Sequence, residues 1–108
     1  LKVDVIPDRA ALAREVEGGR IENVYRLQIM NTTESSRAFE LAVAGLPTLR
    51  LASEPRIIVG PAESRMVPVR VRVDPGPVPA GAHKISFSVR AIDDGRVAVE
   101  EKAVFLVR

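Results

Sequence analysis

The sequence is 108 residues long, which suits one domain with its own hydrophobic core. It contains no cysteine, which excludes disulfides, thiolate nucleophiles and cysteine-bound metals, and its one histidine, His83, excludes sites that need two histidines. With 16 basic and 14 acidic residues, the formal net charge is only +2. Nucleic-acid binding normally requires clustered basic residues and exposed aromatics, so we predict no nucleic-acid partner. No apolar run approaches the roughly 18 residues of a membrane span.

The first element in chain order is a predicted strand at residues 1–6, where Leu1, Val3 and Val5 alternate with Lys2, Asp4 and Ile6. Pro7 ends this strand because proline cannot donate to a sheet. Residues 9–16 are ambiguous. Their alanines favour helix, but so short a run also fits an edge strand that continues the first one. Residues 17–20, with two glycines, are a predicted turn.

The central feature is a predicted β-hairpin over residues 21–43. In its first strand, Ile21–Met30, the apolar side chains Tyr25, Leu27 and Ile29 share one face. Short polar residues at 31–36 favour a turn. In the second strand, which we place at about residues 37–43, Phe39, Leu41 and Val43 alternate with smaller or charged residues. We therefore expect these two strands to pair and to bury one common face.

Further strands are predicted at about residues 49–51, 55–59, 64–73, 82–92 and 97–107. The strand at 64–73 alternates most regularly, and Pro68 within it indicates that at least one side of this strand is unpaired. Residues 74–81 form a proline-rich loop. Asp93-Asp94-Gly95 is typical of a tight hairpin turn between the last two strands.

Seven to eight short strands with frequent turns predict an all-β fold, an immunoglobulin-like antiparallel β-sandwich that spans residues 1–108 as a single domain. The disulfide and buried tryptophan of antibody domains are missing from the sequence, so the likeness is one of architecture. The predicted core residues are Val5, Tyr25, Leu27, Ile29, Phe39, Leu41, Val43, Val69, Val71, Phe87, Val89 and Phe105.

Two features could hold a ligand or a modification. Asn31-Thr32-Thr33 matches a glycosylation acceptor, but we interpret it as a turn whose side chains satisfy local backbone groups. Met30, Met66 and His83 are residue types that bind copper, although no spacing motif connects them. Whether any of the three meets copper is left open by the sequence.

Charged residues offer no stronger candidate. Arg70, Arg72, Lys84 and Arg90 could form one basic face towards anionic headgroups, or belong to ordinary solvated faces. Asp93 and Asp94 lie in a tight turn, which does not suit a pair of catalytic carboxylates. Glu100 and Glu101 are adjacent on a strand and therefore point to opposite faces, so they cannot act together in acid–base catalysis. Gly18-Gly19 and Gly60 lack phosphate-cradle spacing. We predict no catalytic, cofactor-binding or metal-binding residue in this domain, and no enzyme activity of its own.

The sequence resembles a known family in two stretches. One is Asp4-Val5-Ile6-Pro7-Asp8-Arg9 followed by Leu12-Ala13-Arg14. The other runs from Gly19 to Thr33, with Ile21-Glu22-Asn23-Val24-Tyr25 as its most specific piece, and is followed by Phe39-Glu40-Leu41 and Gly45-Leu46-Pro47. Together they resemble the C-terminal immunoglobulin-like domain of the FixG/CcoG family, the cytochrome c oxidase accessory proteins. From Pro55 onwards the similarity is confined to alternating valines and Val73-Asp74-Pro75.

The resemblance implies a parent protein that is embedded in the bacterial inner membrane. Its cytoplasmic part would carry 4Fe–4S clusters, and it would assist assembly of the cbb-type oxidase and reduce copper for it. Since the chain begins with Leu1, we expect a C-terminal fragment of such a protein, tethered on the periplasmic face through the missing N-terminal part. We expect no cofactor in this domain, and protein partners among oxidase-assembly or copper-delivery components.

Two alternatives remain open at this point. One is a periplasmic domain that binds copper directly through Met30, Met66 or His83. The other is an accessory β-sandwich of an extracellular enzyme, although the absence of tryptophan removes the usual platform for sugars. The partner, the binding face, the oligomeric state and any use of edge strands for β-augmentation are not specified by the sequence.

Overall fold

A computed structural model describes residues 1–8 and 13–108. In these residues the chain forms nine β-strands and one turn of 3-10 helix at Glu17–Gly19. The strands are β1 (Lys2–Pro7), β2 (Arg14–Glu15), β3 (Ile21–Met30), β4 (Arg37–Ala44), β5 (Arg50–Leu51), β6 (Arg56–Val59), β7 (Ser64–Val73), β8 (Gly81–Ala91) and β9 (Ala98–Val107).

The strands form two antiparallel sheets that pack face to face. Sheet A has the order β1-β3-β7-β5, and β2 also pairs with the start of β3. Sheet B has the order β6-β4-β8-β9. Alternating side chains from both inner faces fill the space between them, as in other sandwiches. The predicted all-β, immunoglobulin-like fold class is therefore confirmed.

The predicted hairpin between β3 and β4 is wrong. β3 pairs with β1, β2 and β7, whereas β4 pairs with β6 and β8, so the two strands lie in different sheets. Residues 31–36 cross from one sheet to the other. Alternation could not distinguish these arrangements. Strands bury one side when they pair within a sheet, and they also do so when they face each other across a core.

The core agrees with the predicted residue set except at two positions. Val5 and Val43 are half-buried, since Val5 lies on the edge strand β1 and Val43 near the end of β4. All other predicted members are buried. The core cluster also contains buried side chains that were outside the predicted core set, although alternation had placed Val67, Val73, Ile85 and Ala91 on buried faces. The additional members are Val3, Ile57, Val59, Val67, Val73, Val78, Ile85 and Ala91.

Pro68 lies on the open edge of β7, as predicted. The Arg70 carbonyl accepts a hydrogen bond from the Ala52 N–H at 2.8 Å, and the Arg70 N–H donates to Ser53 Oγ at 3.1 Å. The Arg70 backbone thus points towards the β5 side. Backbone groups two residues apart point the same way, so the nitrogen of Pro68 faces this same edge beyond the end of β5, which pairs only with Val71 and Arg72.

The remaining turn predictions have mixed outcomes. β8 and β9 form the predicted hairpin, in which the Val97 N–H donates to the Asp94 carbonyl at 3.0 Å. The predicted turn at residues 17–20 is confirmed, and it requires glycine because Gly18 and Gly19 have φ angles of 71° and 75°. In the ambiguous segment, residues 9–12 lie outside the described residues, while Arg14–Glu15 form a strand against β3.

Two side chains of β3 join the sheets along the outer edge of β9. Asn23 Nδ2 donates to the Leu106 carbonyl at 2.9 Å, and its Oδ1 accepts from the Leu106 N–H at 2.8 Å. The Tyr25 hydroxyl donates to the Val104 carbonyl at 2.6 Å. We name these four residues the β3–β9 clasp. They satisfy backbone groups that an edge strand would otherwise expose.

We expect Tyr25→Phe to lower the free energy of unfolding by about 1–2 kcal/mol, because the Val104 carbonyl loses its donor while the buried ring is kept. Urea denaturation of both proteins measures the difference. The exposed Val104 is a suitable control position, since Val104→Thr leaves its own carbonyl and the Tyr25 hydroxyl in place. Equal stability of wild type and Tyr25→Phe would contradict a stabilising role for this bond.

Candidate functional site

Asn31 is a structural residue. Its side chain is 2% exposed, and Nδ2 lies within hydrogen-bond distance of the carbonyls of Ser35 (2.8 Å), Gly60 (3.0 Å) and Val59 (3.2 Å). Its Oδ1 accepts from the Thr33 N–H at 3.0 Å and the Thr33 hydroxyl at 2.7 Å. Asn31 and Thr33 thus bond to backbone groups as expected, but the connection is not a hairpin turn, since two of the acceptors, Val59 and Gly60, lie at the end of β6. A glycan would require this buried nitrogen to leave its acceptors.

The three copper candidates are divided by the fold. Met30 and Met66 point to the outer side of sheet A and are 37% and 44% exposed. Because Met30 pairs with Ser64 and Gln28 with Met66, the two methionines are diagonal neighbours. His83 belongs to β8 in sheet B, where its Nε2 lies 2.6 Å from the Pro79 carbonyl oxygen. His83 pairs with Phe105 near the start of β3, whereas Met30 lies at the other end of β3 and on the other sheet.

The four basic residues do not form one face. Arg70 and Arg72 lie on the outer side of sheet A, opposite Val24 and Glu22 of β3. Lys84 and Arg90 lie on β8 in sheet B, on the side away from its buried residues. The hypothesis of a joint basic face is therefore wrong. Alternation along each strand places all four side chains outwards. The two pairs belong to different sheets, however, so they point away from opposite sides of the sandwich.

The acidic pairs have ordinary structural contacts. Asp93 is 3.4 Å from Arg37, and Asp94 is 3.1 Å from Arg96. The hydrogen bonds from Arg96 hold the pKa of Asp94 below its ordinary value. Glu100 and Glu101 lie on opposite faces of β9. Among the described residues, no group of three or more histidine, aspartate or glutamate side chains could hold a metal ion.

The outer side of sheet A instead presents a surface of cations and apolar side chains. Arg26 of β3 pairs with Pro68, and Val24 pairs with Arg70, so Arg26 and Arg70 are diagonal neighbours. Met30 and Met66 lie further along the same face. We name Arg26, Arg70, Met30, Met66 and Pro68 the arginine–methionine face. All five residues are exposed.

Arg26 was not singled out in the sequence, although alternation along β3 places it outwards. Its proximity to Arg70 depends on the register of two strands more than 40 residues apart in the chain, which no local pattern specifies. Within the described chain, Arg26 has no hydrogen-bond or ion-pair partner. The Arg70 guanidinium donates to the Ala52 carbonyl at 2.9 Å and has no carboxylate partner among the described residues.

Towards the start of β3, this side of the sheet carries a buried carboxylate. Glu22 is 0% exposed, with Arg14 Nη2 at 2.6 Å from Oε1 and Arg72 Nε at 2.7 Å from Oε2. Burial raises the pKa of Glu22, but the hydrogen bonds and charges of Arg72 and Arg14 outweigh it and hold the pKa below its ordinary value. The contacts fix the short strand β2 against sheet A. Sequence alternation gave no sign that this outward position would be covered.

We expect the Glu22 ion pairs to stabilise the fold at neutral pH and to lose this effect in acid. Since the folded pKa lies below the unfolded value of about 4.5, the contribution is present above that pH and is lost as the pH falls through the folded pKa. Thermal denaturation from pH 7 to pH 3 checks this. A variant with Glu22→Gln should show a shallower acid decline than wild type; identical pH profiles would contradict the assignment.

A second ion cluster adjoins the first. Asp74 accepts from Arg50 at 3.1 Å and Arg20 at 3.3 Å, and these hydrogen bonds hold the pKa of Asp74 below its ordinary value. Thus Arg14, Arg72, Arg20 and Arg50 each have a carboxylate partner. The arginines of the arginine–methionine face differ from them, because Arg26 and Arg70 have none among the described residues.

An apolar groove of about 570 Å³ opens between β6 and β7 and reaches Pro68 at the open edge of β7. Ile58 and Ile92 line it and are 64% and 48% exposed. The described residues contain no helix with the length and apolar character needed to cross a bilayer.

Comparison with known proteins gives the family. The family described as the immunoglobulin-like fold at the C-terminus of FixG, a proposed oxidoreductase, matches residues 1–108. The chain belongs to the FixG C-terminal family. This confirms the resemblance found in the sequence. No curated protein matches the chain.

Solved structures agree with this membership. The crystal structure of a FixG-related protein from Vibrio parahaemolyticus matches with a TM-score of 0.85 and 25% identity, over 99% of this chain and 95% of that one. A protein from Archaeoglobus fulgidus matches with a TM-score of 0.51 and 12% identity, over 100% and 97%, which supports the fold alone. The match to the Vibrio structure extends over nearly the whole of both chains.

Proposed function

We propose that this FixG C-terminal domain is a non-catalytic interaction and support domain on the periplasmic side of a membrane-bound iron–sulfur protein. The parent would act in assembly of the cbb-type cytochrome c oxidase and in reduction of copper for it. The observation that carries the proposal is the match of the FixG C-terminal family to all 108 residues.

The geometry of the domain supports a role in binding rather than in chemistry. Its buried polar residues Glu22, Asn23 and Asn31 are engaged with arginines or with the backbone of neighbouring strands. Such contacts hold a fold together and leave no aligned nucleophile and base. The iron–sulfur clusters and the redox steps would belong to the rest of the parent. Oxidase-assembly or copper-delivery proteins are the partners that this role requires.

Deletion of residues 1–108 from the parent tests the proposal in a bacterium that makes the oxidase. We expect cbb-type oxidase activity in isolated membranes to fall several-fold while the parent protein remains at its normal level by immunoblot. Replacement by the FixG-related domain of Vibrio parahaemolyticus, which shares 25% identity and the same fold, is the control and should restore activity. Full oxidase activity in the deletion strain would overturn the proposed role.

Direct copper binding is a second candidate function, because the two methionines of the sequence are diagonal neighbours on one exposed face. Thioethers suit Cu(I), and a ligand that binds only the folded state raises its apparent stability. This candidate predicts a rise in Tm with Cu(I) that disappears in the double variant Met30→Leu, Met66→Leu. His83→Gln, at the other end of the sandwich, is the control. An unchanged Tm in excess Cu(I) would eliminate this function.

A further inference from the structure

We infer that the arginine–methionine face of sheet A docks on the surface of a bilayer that contains anionic phospholipids. The face consists of Arg26, Arg70, Met30, Met66 and Pro68, as defined above. The inference rests on the proposed membrane attachment of the parent, because tethering holds the domain close to a bilayer. It adds which side of the domain meets the lipid.

Among the described residues, the outer side of sheet A carries more cations than acids. The cations are Lys2, Arg14, Arg26, Arg50, Arg70 and Arg72, and the acids are Asp4, Asp8, Glu22 and Asp74, the last of which binds Arg50. Glu22 is already neutralised by two arginines. The excess of positive charge is thus presented to solvent near the centre of the face, at Arg26 and Arg70.

Arg26 and Arg70 lie close together on this face. Diagonal neighbours on antiparallel strands are about 7–8 Å apart, so the two guanidinium groups can reach one phosphate once Arg70 leaves the Ala52 carbonyl to which it donates. No carboxylate lies within ion-pair distance of either arginine among the described residues, and the nearest acid of β1 by register is Asp4, a diagonal neighbour of Arg26. A lipid phosphate supplies the missing negative charge.

The face also has an apolar part. Met30 and Met66 are 37% and 44% exposed; Met66 and Pro68 adjoin Arg26 across the strands, and Met30 lies four residues further along β3. Methionine is flexible and adapts to irregular surroundings. Long apolar side chains among cations suit the boundary between headgroups and acyl chains, where cations bind phosphate and apolar groups enter the hydrocarbon.

A membrane suits this face better than an acidic protein does. Protein interfaces usually centre on buried aromatic anchors, and all four aromatic residues of the sequence, Tyr25, Phe39, Phe87 and Phe105, lie in the core. An open face with exposed cations matches a surface of many equivalent phosphates.

Vesicle co-sedimentation of the 108-residue domain tests the inference. We expect binding to vesicles of phosphatidylcholine with one-third phosphatidylglycerol, weak binding to phosphatidylcholine alone, and release in 0.5 M NaCl because salt screens exposed charges. Each arginine near such a surface contributes about fivefold to partitioning. The double variant Arg26→Gln, Arg70→Gln should therefore bind about thirtyfold more weakly.

The matched control is the double variant Lys84→Gln, Arg90→Gln, which removes the same charge from the outer side of sheet B and should bind within about twofold of wild type. Circular dichroism and Tm verify that both variants fold. If both double variants lost binding equally, vesicle binding would depend only on the net charge of the domain. That result would overturn the inference. So would an absence of binding to the anionic vesicles, or full displacement by soluble polyglutamate, which would indicate an acidic protein.

A thermal shift with millimolar inorganic phosphate, equal in size to the shift with anionic vesicles, would indicate a free phosphate ligand and would also contradict the bilayer. These outcomes are separate from the proposed function. Oxidase activity can depend on the domain when vesicle binding fails, and the face can bind vesicles when deletion leaves the oxidase unaffected.

Discussion

Asn31→Asp is expected to lower the free energy of unfolding by about 3–5 kcal/mol at pH 7, because it creates a buried negative charge that keeps the Thr33 donors but has no cationic partner among the described residues. In the native domain, Asn31 Nδ2 donates towards three backbone carbonyls, at Ser35, Val59 and Gly60. The substitution replaces this donor with an oxygen that faces the same carbonyl oxygens.

The pH dependence of this variant is a sharper test than its stability at one pH. Burial and the surrounding carbonyls raise the pKa of the new carboxyl in the folded state above its unfolded value of about 3.9. The loss of stability should therefore be largest at neutral pH and should diminish as the pH falls towards that unfolded value, since the protonated acid can donate to one carbonyl. Urea denaturation at pH 7 and pH 4.5 measures the difference.

Two matched variants complete the test. Asn31→Ala removes the donor without adding charge and should destabilise by a similar amount at both pH values. Ser36→Asp adds the same charge to an exposed position in the same connection and should change stability by less than about 0.5 kcal/mol. Similar stability for Asn31→Asp and Ser36→Asp would contradict the buried role of Asn31.

Phe87→Ala is expected to cost about 3–5 kcal/mol, which is typical for removal of a buried aromatic ring. Phe87 is 1% exposed at the centre of β8. Its ring contacts that of Tyr25 edge to face, with centroids 5.0 Å apart and an interplanar angle of 72°. This contact joins the middle strand of one sheet to that of the other, so the cavity would lie at the centre of the interface between the sheets.

Ser86→Ala, one residue earlier and on the outer side of β8, is the control and should change stability by less than about 0.5 kcal/mol. Phe87→Leu separates two contributions. It retains most of the apolar volume but loses the edge-to-face geometry, which contributes about 0.5–1.5 kcal/mol beyond burial. Chemical denaturation of the three variants ranks them, and a Phe87→Ala protein as stable as Ser86→Ala would contradict the assigned core position.

The sequence predicted local structure well because period-two alternation acts residue by residue. The bounds of β3 and β7 and the buried sides of β7 and β8 follow from side chains that point alternately to core and solvent. Pro68 on the open edge of β7 was predictable for the same reason, since a missing backbone N–H is a local property.

Pairing between strands was not predictable in this way. β3 and β4 follow one another in the chain and both bury one side, yet they face each other across the core. The polar connection at residues 31–36 appeared to be a hairpin turn, whereas Asn31 anchors it to the end of β6 through the Val59 carbonyl. Such a long-range contact has no signature in the spacing of neighbouring residues.

For the arginine–methionine face, too, local properties could be predicted from the sequence but the contacts between strands could not. Exposure of Arg26, Arg70 and Met66 follows from alternation, but their assembly on one face depends on the register between β3 and β7. The basic residues of β8 have the same local pattern and lie on the other sheet. Glu22 is a further case, because its burial results from Arg14 and Arg72 rather than from its own strand pattern.

The β3–β9 clasp also affects when the domain can complete its fold. Asn23 and Leu106 are separated by 83 positions, and Tyr25 and Val104 by 79. Synthesis proceeds at about 5–20 residues per second, so the ten residues of β9 emerge over about half a second to two seconds after the rest of the domain. During this interval the inner edge of sheet B at β8 has no partner strand from β9. A newly made chain is therefore most open to chaperones, proteases and mispairing just before its last strand arrives.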